Sequence, residues 1–121
     1  MATFVEFISQ LHNSKQQAIV WHHQTDEFEV HKALDMFYTE IVDLVDGLVE
    51  STSGVYGRPQ GYSVQTIKDY VDCETVILYF QSLYSYIQTE RNGIYQETWI
   101  QNQVDEVAQL VAETIYQLTL C

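Results

Sequence analysis

Three residues of one stretch have the types and spacing to hold a cation. His31 is followed after 15 residues by Asp46, and after four more by Glu50. On a helix, Asp46 and Glu50 lie one turn apart on one face, which suits two carboxylates binding one ion. At 1.5 Å per residue His31 lies about 22 Å away along the same helix, too far to share that ion within one chain. Two such helices packed antiparallel across a two-fold axis remove the difficulty. His31 of one subunit then lies beside Asp46 and Glu50 of the other, and the site occurs twice per dimer. A di-iron site inside one bundle would instead need Glu-x-x-His pairs on two helices. No Glu-x-x-His occurs in the chain.

The elements that must position these residues are all helical. Phe4, Phe7, Ile8, Leu11, Ala18 and Ile19 recur at helical spacing, after Thr3 and Glu6 as a capping box. Leu34, Phe37, Tyr38, Ile41, Val45, Leu48 and Val49 make the apolar face of a second helix, for which Thr25 or Asp26 is the expected cap, with Glu29 closing a box from Asp26. Asp72 is the expected cap of a third, with core positions Val76, Phe80, Leu83, Tyr84 and Ile87 and a left-handed stop at Asn92-Gly93. Ile100, Val104, Val107, Val111, Thr114 and Leu118 form the seam of a fourth. The expected helices span 3–23, 26–52, 73–91 and 95–119. Ser53 to Gly61 reads as a loop and 64–71 as a short helix. No segment alternates with period two, so strands are not expected.

Two of the three links are short, and the second to third takes about 20 residues, enough to cross the length of a bundle at about 3.3 Å per extended residue. The expected fold is therefore all-α: one ferritin-like four-helix domain with a single long crossover.

Composition narrows the partners. The 121 residues carry 17 acidic and 5 basic side chains, a net charge of −12. Such a surface repels phosphate backbones and attracts cations, so nucleic acid is not an expected partner. No apolar run approaches the roughly 18 residues of a membrane span. Two cysteines, Cys73 and Cys121, are too few for a disulfide framework and lack metal-ligand spacing. A cytoplasmic protein with reduced thiols is the expectation.

The ligand spacing, the words FEVHKALDMFYTEIVDLVDGLVE and the glycine-containing loop after them resemble the Dps-like ferritins, small iron-storing proteins of starved bacteria. Similarity to small phage-encoded ferritin-like proteins of unassigned function is nearer still, through HHQT (His22 to Thr25) where those have an HWQT-like word. The resemblance implies iron bound by His31, Asp46 and Glu50 at a dimer interface. It also implies ferroxidase chemistry with peroxide and assembly of dimers into a hollow cage. The pattern wants another histidine twelve residues before His31, where this chain has Ile19. His22, one turn on, is the candidate substitute as fourth ligand. Tyr38 or Tyr116 is a candidate guard of the oxidation site. The DNA-holding basic tail of many Dps proteins has no counterpart here. The competing expectation is a metal-free structural or interaction protein that keeps the bundle, with His31 bonded to a backbone carbonyl.

The apolar residues of the second helix, among them Phe37, Val42, Leu44 and Val49, spread too far round its circumference to face one core. A homodimer through that helix, burying roughly 1,000 Å² or more, is the expected solution.

Overall fold

The computed structural model describes residues 1–121, and its regular elements are all helices, with no strand. Helix α1 is Phe4–Gln24, α2 is Phe28–Tyr56, α3 is Cys73–Glu90 and α4 is Thr98–Leu118. A single 3-10 turn, Arg91–Gly93, follows α3. Together they form a four-helix bundle. Helix α1 packs on α2, α2 on α4 and α4 on α3. Aromatic pairs close the ring between α1 and α3: Phe7 stacks on Tyr86 at 6.0 Å and Trp21 meets Tyr79 edge-on at 5.2 Å. Late α1 thus meets early α3, so these neighbours are antiparallel. Helices α2 and α3 lie diagonally opposite, and Phe37 meets Phe80 across the middle at 4.8 Å.

The apolar stripes fill this interior as their spacing predicts. Phe7, Leu11, Phe37, Ile41, Phe80, Ile87 and the whole α4 seam are buried. Tyr84 is an exception, 37% exposed, because it lies one position past Leu83 and turns out of the stripe. The Thr3–Glu6 capping box forms, and Asp72 accepts bonds from the Thr75 backbone N–H at 2.8 Å and its hydroxyl at 2.7 Å.

Several ends differ from expectation. The N-cap of α2 is Glu27, with no side-chain cap; Thr25 instead accepts from the Glu27 N–H at 3.1 Å, and no Asp26–Glu29 box forms. Helix α2 runs through Thr52 to Tyr56 and stops at Gly57, φ 85°, where a left-handed residue is needed. Asn92 and Gly93 keep negative φ and continue α3 as the 3-10 turn, held by the Gln96 amide donating to the Arg91 carbonyl at 3.0 Å. Helix α4 begins only at Thr98.

The crossover, 57–72, is the largest difference. The expected helix at 64–71 does not form; these residues are extended along α1. A stripe of polar side chains on α1 serves as their hydrogen-bonding partner. Ser9 Oγ accepts from the Ser63 N–H at 3.0 Å, and Asn13 Oδ1 from that of Gln65 at 3.1 Å. The Gln17 amide grips Lys68, accepting from its N–H and donating to its carbonyl, both at 2.9 Å. Gln24 accepts from the Tyr70 N–H at 2.6 Å. The pitches match: seven extended residues from Ser63 to Tyr70 span about 23 Å. Fifteen helical ones from Ser9 to Gln24 rise about 22 Å. An isolated eight-residue helix is marginal, and these side chains satisfy the extended backbone better.

Gln17 is the test of this zipper. Gln17→Ala should cost about 2 kcal/mol, the loss of two hydrogen bonds to a backbone that water only partly reaches. Urea unfolding measures it, with faster amide exchange at Lys68 as the local sign. Unchanged exchange there would mean that the zipper does not hold the crossover.

Candidate functional site

His22 closes α1 and His31 opens α2, and the three-residue turn between the helices brings their rings together. The two imidazoles stack with centroids 3.7 Å apart. His22 Nδ1 lies 2.9 Å from the His31 carbonyl, and His31 Nδ1 lies 3.0 Å from the His22 carbonyl. A carbonyl oxygen only accepts, so both Nδ1 atoms carry hydrogen and donate. Nε2 is then the remaining nitrogen on each ring. This is the arrangement that orients metal-ligating histidines, one nitrogen tied to a carbonyl and the other free. It is also a clasp between α1 and α2, with a carbonyl bond of the kind the metal-free reading expects at His31.

Tyr38 stands edge-on to the His22 ring at 5.2 Å. Its phenol is raised above the ordinary tyrosine range, first by a hydrogen bond to Asp35. Of the two candidate guards it is the one beside the histidines; Tyr116 is 64% exposed on α4. Ile19, where a fourth ligand was wanted, is half-buried.

Asp46 and Glu50 lie farther down α2, both exposed, four residues apart on one face. The chain does not bring them to its own His31. Their neighbours come from α1 and the crossover. Asp46 lines a cleft of about 70 Å³ with Leu11, His12, Lys15 and Val42. Burial pushes His12 below the ordinary histidine range and Lys15 adds to this, while Asp46 opposes both. Tyr62 of the crossover stacks on the His12 ring at 5.3 Å. Glu50 borders a wider cleft of about 600 Å³ with Ser53, Gly57, Arg58 and Tyr62. His12 itself is exposed. His12 and Asp46 are far apart in sequence and come to line one cleft through the α1–α2 contact.

The apolar spread on α2 is resolved in part within the chain. Phe37 is fully buried, Leu44 and Val49 pack against the core, and Val42 is left 38% exposed beside Asp46.

The cysteines correct the expectation of free thiols: Cys73 and Cys121 are joined as a disulfide, with Cα atoms 6.7 Å apart. The signal was in the topology. Cys73 is the first residue of α3 and Cys121 follows α4; a short link makes these helices antiparallel, which puts both at one end. A carboxylate oxygen of Glu27 lies within 4.8 Å of both sulfurs.

No helix is long and apolar enough to cross a membrane. The family of unknown function DUF5856 matches residues 22–118, from His22 to the end of α4. No curated protein and no solved structure matches the chain.

Proposed function

The protein belongs to the family of unknown function DUF5856, and we propose that it binds iron at a site shared between two subunits. Two α2 helices pack antiparallel, and His31 with His22 of one chain face Asp46 and Glu50 of the other. The observation that carries this reading is the stacked histidine pair, with each Nδ1 bonded to a carbonyl. It supplies the second imidazole that Ile19 denies and leaves an Nε2 on each ring for an ion. Two imidazoles and two carboxylates form a mixed nitrogen and oxygen set suited to iron.

Iron(II) is the substrate in this reading. The two carboxylates favour the more highly charged iron(III), and so assist loss of an electron to peroxide, the oxidant the resemblance implies. The single long crossover supports the ferritin-like comparison, since one such link is that fold's topology. The negative charge of the chain supports a cation as partner. Assembly of dimers into a cage, and a cytoplasmic site of action, belong to the same proposal.

A second reading is favoured by the same two bonds. The histidines already have work as a clasp between α1 and α2, which a metal-free structural or interaction protein would also need.

Anaerobic iron(II) titration, read by absorbance and metal analysis, separates the two. The iron reading expects about one ion per chain at micromolar concentration. Asp46→Ala with Glu50→Ala should weaken binding at least about tenfold while the bundle stays folded, since both residues are exposed. Light scattering should report a dimer at the same concentrations. A strict monomer, or no binding by the wild-type chain, leaves the structural reading.

A further inference from the structure

At the end of the bundle that holds the histidine pair, Glu27 precedes α2, Cys73 opens α3 and Cys121 follows α4. One carboxylate oxygen and two sulfurs lie within 4.8 Å of one another. Three segments far apart in sequence thus converge on one point with three donors. The chain has only two cysteines, and both are here.

We propose that this end of the bundle is a second, redox-gated cation site: closed while Cys73 and Cys121 are bonded, and open to a thiophilic divalent cation such as zinc(II) once they are reduced. The chemistry follows from the donors. A disulfide sulfur has no charge to offer a metal, whereas two thiolates and a carboxylate are a zinc-type set with one position left for water. The geometry needs little movement. Two sulfurs on one tetrahedral ion sit about 3.8 Å apart, against about 2 Å in a disulfide. Rotation of two cysteine side chains whose Cα atoms are 6.7 Å apart supplies the difference. Glu27 requires no larger shift, since it already lies within 4.8 Å.

The gate is an exchange reaction with a dithiol reductant. Cys121 is exposed and Cys73 is buried, so attack falls on the Cys121 sulfur. A bond forms between the reagent's thiolate and Cys121 Sγ, the protein S–S bond breaks, and Cys73 leaves as a thiolate at the positive end of the α3 dipole. The reagent's second thiol displaces Cys121 and closes the reagent as a disulfide. Two electrons have moved from reagent to protein. The cation then takes the place of the two thiol protons.

Cobalt(II) alone is the probe, because thiolate ligation gives it a near-ultraviolet charge-transfer band that histidine and carboxylate ligation do not. The chain reduced with an immobilised dithiol and then freed of it should develop this band with one equivalent of cobalt. The air-oxidised chain should show none, and zinc(II) should bleach it. Glu27→Gln should keep the band and weaken affinity about tenfold. Cys121→Ser, at an exposed position, should lose the two-thiolate band with the bundle intact by circular dichroism. No band in the reduced wild type, or an equal band in oxidised chain or Cys121→Ser, would overturn the proposal. The iron reading is untouched by either outcome, since Asp46 and Glu50 play no part in this band.

Discussion

Reducing the Cys73–Cys121 disulfide is expected to lower the free energy of unfolding by about 4 kcal/mol, with little change in the fold. The bridge joins residues 48 apart in the sequence. Closing a loop of that length removes conformational freedom from the unfolded chain, which the chain-entropy relation puts at about 4 kcal/mol. The folded chain loses little, because α3 and α4 already pack on each other and Val76, Phe80, Val107 and Val111 are buried in the one core. Urea unfolding with and without a reductant measures the difference. Cys121→Ser should reproduce the reduced curve and ignore the reductant. If the oxidised and reduced wild-type curves coincide, the unfolded state gains nothing from the cross-link, or the bridge is not formed. Zinc(II) offers an internal check: at the proposed redox-gated site it should restore part of the loss in the reduced wild type and none in Cys121→Ser.

The bridge also illustrates what the sequence could yield. Helical periodicity placed four helices within a few residues because each has one continuous apolar stripe, and burying that stripe decides the fold. Link length then pointed to a single long crossover between α2 and α3, and the structure sets these two helices diagonally opposite. Where the structure departs, a partner distant in sequence has competed with a local signal. Residues 64–71 have helix-compatible spacing, yet Asn13, Gln17 and Gln24 take their backbone N–H groups. Those three read as ordinary polar positions of α1 until the crossover lies against them. Thr25 and Asp26 looked like caps of α2, but Thr25 bonds the Glu27 N–H and the helix starts beyond both.

The candidate sites follow the same division. That Asp46 and Glu50 share a helix face was legible from their spacing. His22 and His31 were legible as types, though not as a stacked pair, since ring contact depends on how the turn at 25–27 reverses the chain. Glu27 beside the two sulfurs was not legible at all, because three chain segments must arrive before it has a meaning.

Phe80→Ala is expected to cost about 3–5 kcal/mol, the other large effect in this molecule. Phe80 and Phe37 are fully buried, and their rings meet at 74° across the diagonal of the bundle. Helices α2 and α3 are not neighbours in the ring of packing, so this contact fills the space the four helices enclose. Removing one ring leaves a cavity bordered by all of them, which no single helix can close by shifting. Phe80→Leu, which keeps most of the volume, should cost about 1.5 kcal/mol. A double-mutant cycle with Phe37→Leu should return a coupling of about 0.5–1.5 kcal/mol for the edge-to-face pair. Chemical denaturation supplies all four values, and a coupling near zero would mean the rings act only as volume. The site should respond to the same cavity. His31 precedes Phe37 on α2 by six residues, about 9 Å, and the His22 clasp ties it to α1. On the proposed iron reading, Phe80→Ala should therefore hold iron(II) more weakly than Phe80→Leu, although neither substitution touches a proposed ligand. Equal affinity in the two variants would show that the clasp keeps its geometry independently of the core beneath it.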